Sequence, residues 1–191
     1  MYIVANNHKY ELIIKNSKFI TLIYKLANQN INLILNEIKK EYPDATHYTY
    51  AYIYEDIKKA SDDGEPSGTA GIPILKVLEN NHLTNTLCVV VRYFGGIKLG
   101  ANGLIRAYTK TAANAIKEIA LNELTDGYNI DLSFTYERVK DVDYLLKSTK
   151  INSKNYDNLI TYNINVDSNM LEKIKSLNLD YQIIKNIKIE K

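Results

Sequence analysis

Apolar positions recur at two different spacings along this chain, and the switches between them predict its elements. Two short runs, KYELIIK and KFITLIYKL, read as strands separated by Asn16-Ser17, residues that suit a turn. From Asn30 onward Ile31, Ile34, Leu35 and Ile38 recur at helical spacing until Pro43 stops the pattern. In HYTYAYIY, a period of two puts Tyr48, Tyr50, Tyr52 and Tyr54 on one face of a strand and His47, Thr49, Ala51 and Ile53 on the other. A tyrosine row of this kind is either a stacking platform for bases or sheet surface half-buried under a helix or a second domain. GIPILKVLEN predicts a short helix opened by Ile72-Pro73, since proline is tolerated in a first turn. TNTLCVVVRYF is continuously apolar and β-branched, as a strand buried on both faces requires. A long helix then runs from about Asn102 to Ala120. Its apolar stripe is Leu104, Ile105, Tyr108, Ala112, Ala115, Ile116 and Ile119, with Arg106, Lys110, Asn114 and Lys117 opposite.

Between Leu124 and Gly127 the pattern resets. Tyr128, Ile130, Leu132 and Phe134 alternate as a strand, and ERVKDVDYLLK follows at helical spacing through Val139, Val142 and Leu146. A strand near Ile151 to Tyr156 leads to another with Ile160, Tyr162, Ile164 and Val166 on one face. A helix with Met170, Ile174 and Leu177 and a last strand in YQIIKNIKIE complete the order β-α-β-β-α-β, a ferredoxin-like (split βαβ) arrangement. The chain is expected to be α+β, with two domains at residues 1–124 and 125–191.

Composition narrows the class. The 191 residues are 46% hydrophobic and 24% charged, as in an ordinary globular protein and unlike a disordered one. No apolar run approaches the roughly 20 residues of a membrane span, and the first residues lack the layout of a signal peptide, so a cytoplasmic protein is expected. The single Cys88 permits no internal disulfide and reads as a buried, inert thiol. A net charge of +2 is too small to argue for nucleic acid by itself. Its distribution says more. Residues 80–117 carry five basic residues (Arg92, Lys98, Arg106, Lys110, Lys117) and no acid, while residues 41–65 carry seven acids against Lys58 and Lys59. Residues 125–191 balance ten basic against ten acidic side chains, so the second domain has no electrostatic footprint of its own.

Seven of the eight glycines fall between Gly64 and Gly103, in two loops of opposite charge. The first, SDDGEPSGTAG, holds Asp62, Asp63, Gly64, Glu65, Ser67 and Gly68. The second, in VRYFGGIKLGANGLIRAYTK, holds Arg92, Gly95, Gly96 and Lys98 and runs into the helix of Arg106 and Lys110. In the second, a strand, a loop and a helix start can aim free backbone N–H groups at an anion. Gly95 and Gly96 permit tight or left-handed backbone there. Lys98 adds a point charge and Arg92 a two-pronged donor for phosphate or carboxylate. Neither loop is a P-loop or a G-x-G-x-x-G turn. The acidic loop does not follow EF-hand spacing, and His47 is the only nearby transition-metal ligand. Ser67 and Thr69 have no identifiable base. No catalytic residue, metal or cofactor is assigned. The acids are expected on one wall of a single patch, with Arg92, Lys98 and Arg106 on the other, or else the two loops pair with each other.

His47, SDDGEPSGTAGIP and VVVRYFGGIKLGANGLIRAY together resemble the signature of the YigZ/Impact family, and Lys15-Asn16-Ser17-Lys18-Phe19-Ile20 is similar to its first motif. The resemblance covers the first domain in full and implies a fold related to the second domain of ribosomal protein S5. The second domain resembles the small domain that bacterial members append, itself likened to the last domain of elongation factor G. Eukaryotic members act in translational control and carry a further protein-binding domain that is not seen here. For bacterial members the resemblance implies a nucleic-acid or ribosome-linked role. One departure is Asn102, where the family usually has glycine; asparagine tolerates left-handed backbone, so a turn there is expected to survive. Three functions stay open. One is a translation-associated regulator binding structured RNA or a ribosomal partner through the paired loops. Another is a binder of, or enzyme acting on, a small phosphate-bearing ligand. The third is a protein-docking module using the tyrosine face and the second domain's sheet edge.

Overall fold

The computed structural model describes residues 1–27 and 30–190. It divides into two compact units, Met1–Asn122 and Glu123–Lys191. The expected junction follows residue 124; the compact units divide after residue 122, inside a strand rather than in a linker.

The first unit is built on an antiparallel sheet ordered β2-β3-β6-β4-β5, from β2 (His8–Ile14), β3 (Ser17–Lys25), β4 (His47–Tyr54), β5 (Ile57–Ser61) and β6 (Thr86–Tyr93). The β2–β3 hairpin turns at Lys15 and Asn16, both at positive φ, one residue earlier than the pattern implied. A three-residue β1 (Tyr2–Val4) and β5 escaped the pattern reading. β1 is too short for periodicity to register. β5 reads IKKAS because it is an edge strand, where exposed lysines discourage pairing with another chain.

Helix α1 (Ile31–Glu41) covers one face of the sheet, α2 (Gly71–Asn80) and α3 (Ala101–Lys117) the other. That explains the apolar run of β6. Leu87, Val89 and Val91 pack with Ile38 of α1, while Cys88 and Val90 pack with Leu78, Tyr108 and Ala112. Burial pushes the Cys88 thiol up to about 12, so it stays protonated and inert. Tyr48, Tyr50, Tyr52 and Tyr54 lie half-buried in the α1 cluster, with Tyr50 and Tyr52 stacked at 6.5 Å. They are sheet surface beneath a helix, not an open stacking platform. The α3 stripe also needs correction. Ile105 is exposed, and Ala107 and Thr111 take the buried positions instead.

The second unit runs β7 (Leu121–Phe134), α4 (Val139–Leu145), β8 (Ile151–Tyr156), β9 (Ile160–Asp167), α5 (Ser168–Ser176) and β10 (Asp180–Glu190). Strand pairing is antiparallel throughout in the order β10-β7-β9-β8. Ile130, Leu132, Tyr162 and Ile164 form its core with Val142, Leu171 and Ile174. Leu177 lies beyond α5 and is exposed; Leu171 fills the expected apolar place. Asp167 caps α5 by accepting from the Met170 N–H at 2.8 Å. Among the described residues, no helix is long and apolar enough to cross a membrane.

Candidate functional site

Strand register builds the site. Phe19 on β3 and His47 on β4 both lie directly opposite Arg92 on β6, so three adjacent strands present Phe19, Arg92 and His47 in a row. Arg92 shares the parity of Cys88 and Val90, and so points to the side carrying α2 and α3. It is 4% exposed there, and the first glycine loop brings Glu65, 8% exposed, against it. The Arg92 guanidinium donates to Glu65 Oε1 at 2.6 Å and to Ser17 Oγ at 3.3 Å. Its Cζ stands 5.4 Å from the Phe19 ring centroid and 5.5 Å from that of Phe94. Tyr108 of α3, edge-on to Phe19, donates its hydroxyl to the same Glu65 Oε1 at 2.6 Å. Burial, then the Glu65 acceptor, pushes the Tyr108 hydroxyl far above its ordinary value, which keeps it a donor.

The oppositely charged loops do therefore pair, and the pair is buried. That changes its energetics, because an exposed pair contributes ~0–1 kcal/mol, whereas removing one partner of a buried pair costs about 3–5 kcal/mol. His47 adds a third member. Its Nδ1 meets the Asp63 carbonyl oxygen at 2.8 Å, and a carbonyl only accepts, so Nδ1 carries the proton. Nε2 then faces Glu65 Oε2 at 3.8 Å.

Asp62 and Asp63 of the first loop do not join Glu65 in a single acidic wall. Asp62 turns inward. Its Oδ1 accepts from the N–H groups of Ala70 and Gly71 at 2.9 and 2.8 Å, and its Oδ2 from Gly68 at 2.8 Å, which satisfies the start of α2. Burial alone would raise this carboxyl, but the three N–H bonds outweigh it and hold it below its ordinary value. Asp63 Oδ2 accepts from the Tyr48 N–H at 2.6 Å. Ser67 is exposed. Among the described residues, no group of three or more His, Cys, Asp or Glu side chains is placed to hold a metal ion.

A cavity of about 430 Å³ opens beside the buried pair. Arg92, Glu65 and His47 line its polar end, Phe94, Leu99 and Leu104 line an apolar wall, and Lys98, Gly100 and Ala101 bring in the start of α3. The α3 N-terminus has no side-chain cap. Lys98 is exposed and enters no ion pair among the described residues, and the buried Arg92 Nε has no partner among them. Glu65 neutralises Arg92, so Lys98 and the free amides of α3 leave the cavity mouth cationic. Arg106 and Lys110 are not part of this cavity. They line a separate groove of about 230 Å³ with Ile14, Lys15, Leu99, Gly103 and Ala107.

Gly95 ties the second loop to the β2–β3 turn. A Cβ there would come within 2.1 Å of the Asn16 backbone, an approach that no other residue permits. The Gly95 N–H reaches Ser17 Oγ at 3.2 Å. Gly96 and Gly100 sit at positive φ, at 81° and 68°. Asn102 is the second residue of α3 and stands exposed with helical backbone, so the left-handed turn expected there does not occur.

Residues 15–116 match the family model described as the Impact N-terminal domain. The chain belongs to the YigZ/Impact family. It is 44% identical over 126 residues to the IMPACT family member YvyE of Bacillus subtilis, covering 64% of this chain and 58% of that one. It is 33% identical over 139 residues to the IMPACT family member YigZ of Escherichia coli, covering 70% and 68%. The fold matches a crystal structure of a hypothetical protein at a TM-score of 0.72 and 26% identity, over 96% of this chain and 97% of that one. The Impact signature now has a physical reading. Ser17 and Phe19, carried by its first motif, are the hydroxyl that accepts from Arg92 and the ring beneath it. Ser17, Phe19, Tyr108 and Phe94 were missed as site residues because they read as strand, helix stripe and turn. A serine at a hairpin turn and a tyrosine among small α3 residues were the signals present.

Proposed function

We propose that this chain is a cytoplasmic, translation-associated regulatory protein that binds structured RNA, alone or on the ribosome, through the cavity between its two glycine-rich loops. One observation carries the reading: the cavity mouth combines Lys98, which enters no ion pair among the described residues, with the start of the 17-residue α3, which has no side-chain cap among them, a setting that favours phosphate. The acidic loop does not oppose this. Asp62 and Asp63 accept backbone N–H groups, and Glu65 is matched by Arg92. Membership of the Impact family supports the link to translation through the resemblance to its eukaryotic members.

The domain assignment that goes with this proposal is an S5 domain 2-like first domain and a ferredoxin-like second domain from residue 125. The β-α-β-β-α-β order with pairing β10-β7-β9-β8 supports the latter. A second reading, a small phosphate-bearing ligand, draws on the cavity's apolar wall and on its volume of about 430 Å³, within the range of small-molecule sites.

Sedimentation of the purified protein with ribosomes and with free structured RNA, across a salt series, tests the first reading. Co-sedimentation is expected to fall steeply as salt rises and to drop further in Lys98→Glu. Association with neither target at any salt overturns it, and uptake of a nucleoside monophosphate in calorimetry would then favour the second reading.

A further inference from the structure

The groove beside the cavity is lined by charge of one sign. Three of its seven lining residues, Lys15, Arg106 and Lys110, are cations, and none is an acid. None of the three enters an ion pair among the described residues, although exposed lysines elsewhere do, as in Lys58–Glu79 and Lys188–Asp126. Cations gathered around one concavity without a counter-charge repel one another, and a bound anion relieves that repulsion.

The backbone holds this arrangement in place. Gly103, Arg106 and Lys110 recur at three and four residues along α3, so they share one helix face. Lys15 comes from the β2–β3 turn, which Gly95 locks against the second loop. A Cβ at Gly103 would meet Leu99 Cβ at 3.1 Å, so glycine there keeps the groove floor open beside Leu99. Leu99 also lines the cavity, and the two concavities therefore share a wall. On the cavity side that wall continues into Phe94, a ring 46% exposed, and base stacking on such a ring is sequence-tolerant.

We infer that the groove and the cavity are two stations of one track for single-stranded RNA. Consecutive backbone phosphates pass Lys15, Arg106 and Lys110, and the next unpaired nucleotide enters the cavity with its base against Phe94 and Leu99 and its phosphate at Lys98. Concavities of about 230 and 430 Å³ suit individual nucleotides, not a duplex, so within a structured RNA the track reads loops and ends. The inference rests on reading the cavity as a phosphate site.

Equilibrium binding of the full chain to uridine monophosphate, to oligouridines of two, four and eight residues, to the matching DNA oligomers and to a blunt RNA duplex tests it. Affinity is expected to climb from the monophosphate to about the tetramer and then level, with the duplex weaker than the octamer. Arg106→Glu/Lys110→Glu is expected to weaken the octamer at least tenfold more than the monophosphate. The same variant should flatten the salt slope by about 0.7 for each phosphate that the protein no longer neutralises. Both side chains are exposed, and circular dichroism of the variant verifies its fold. If the double variant binds the octamer like the unaltered protein, or weakens monophosphate and octamer equally, the track is overturned while the cavity reading stands. If Lys98→Glu weakens neither ligand, both fall. Preference for the duplex, or binding of the DNA oligomers alone, also overturns the assignment to single-stranded RNA.

Discussion

The two glycine-rich loops are opposite in charge and equally conspicuous in sequence, yet they do different work. In the first, every acid is committed to a partner within the chain, though only Glu65 is buried. Asp62 caps α2, Asp63 holds the start of β4, and Glu65 meets Arg92 and Tyr108. In the second, Arg92 is committed likewise, but among the described residues Lys98 and the start of α3 are not. The lesson is that a charge counted along the chain is not a charge available to a ligand. The acidic loop is a structural fastening, and the basic loop leaves Lys98 exposed and without an ion pair among the described residues.

The comparison breaks most sharply at Glu65. Glu65→Ala strands Arg92 with 4% exposure and is expected to cost about 3–5 kcal/mol in urea unfolding; a loss under 1 kcal/mol would mean that the pair is not buried in solution. Asp62→Ala leaves three N–H donors at the start of α2 without their acceptor, and a cost of about 1–3 kcal/mol is expected. This contribution has a pH signature. The folded carboxyl lies below its ordinary value, so its stabilisation is complete above the unfolded value of about 4 and disappears as pH falls through the folded one. Unfolding curves of Asp62→Ala and the unaltered protein should accordingly converge in acid; a gap independent of pH would assign the loss to packing. Smallest of all is the stability change in Lys98→Glu, expected within about 0.5 kcal/mol. A larger loss would show that Lys98 too is structurally committed, and the contrast between the loops would vanish.

Much of the fold was legible because burial on one or both faces writes a period into the chain. The β6 run, the tyrosine alternation of β4 and the β-α-β-β-α-β order all follow from that. Where burial is partial, the period fades. β5 was missed because an edge strand is polar, and Ile105 was misjudged because an apolar residue on a helix need not face the core. The site was half legible. Its glycines and charges stood out, but Ser17, Phe19 and Tyr108 did not, because their partners lie 75, 73 and 43 residues away.

The amino-acid sequence by itself determined most of the segments that become strands and helices, β1 and β5 excepted, which family the signature belongs to, and where glycine concentrates. Those are local properties, set by period, propensity and steric freedom. Which charges cancel and which remain was decided only by the tertiary structure. Strand register set Phe19, Arg92 and His47 side by side, the loop path delivered Glu65 to them, and α3 carried Arg106 and Lys110 into a groove of their own. Electrostatic pairing depends on distance and burial, and neither exists until strands distant in sequence have met.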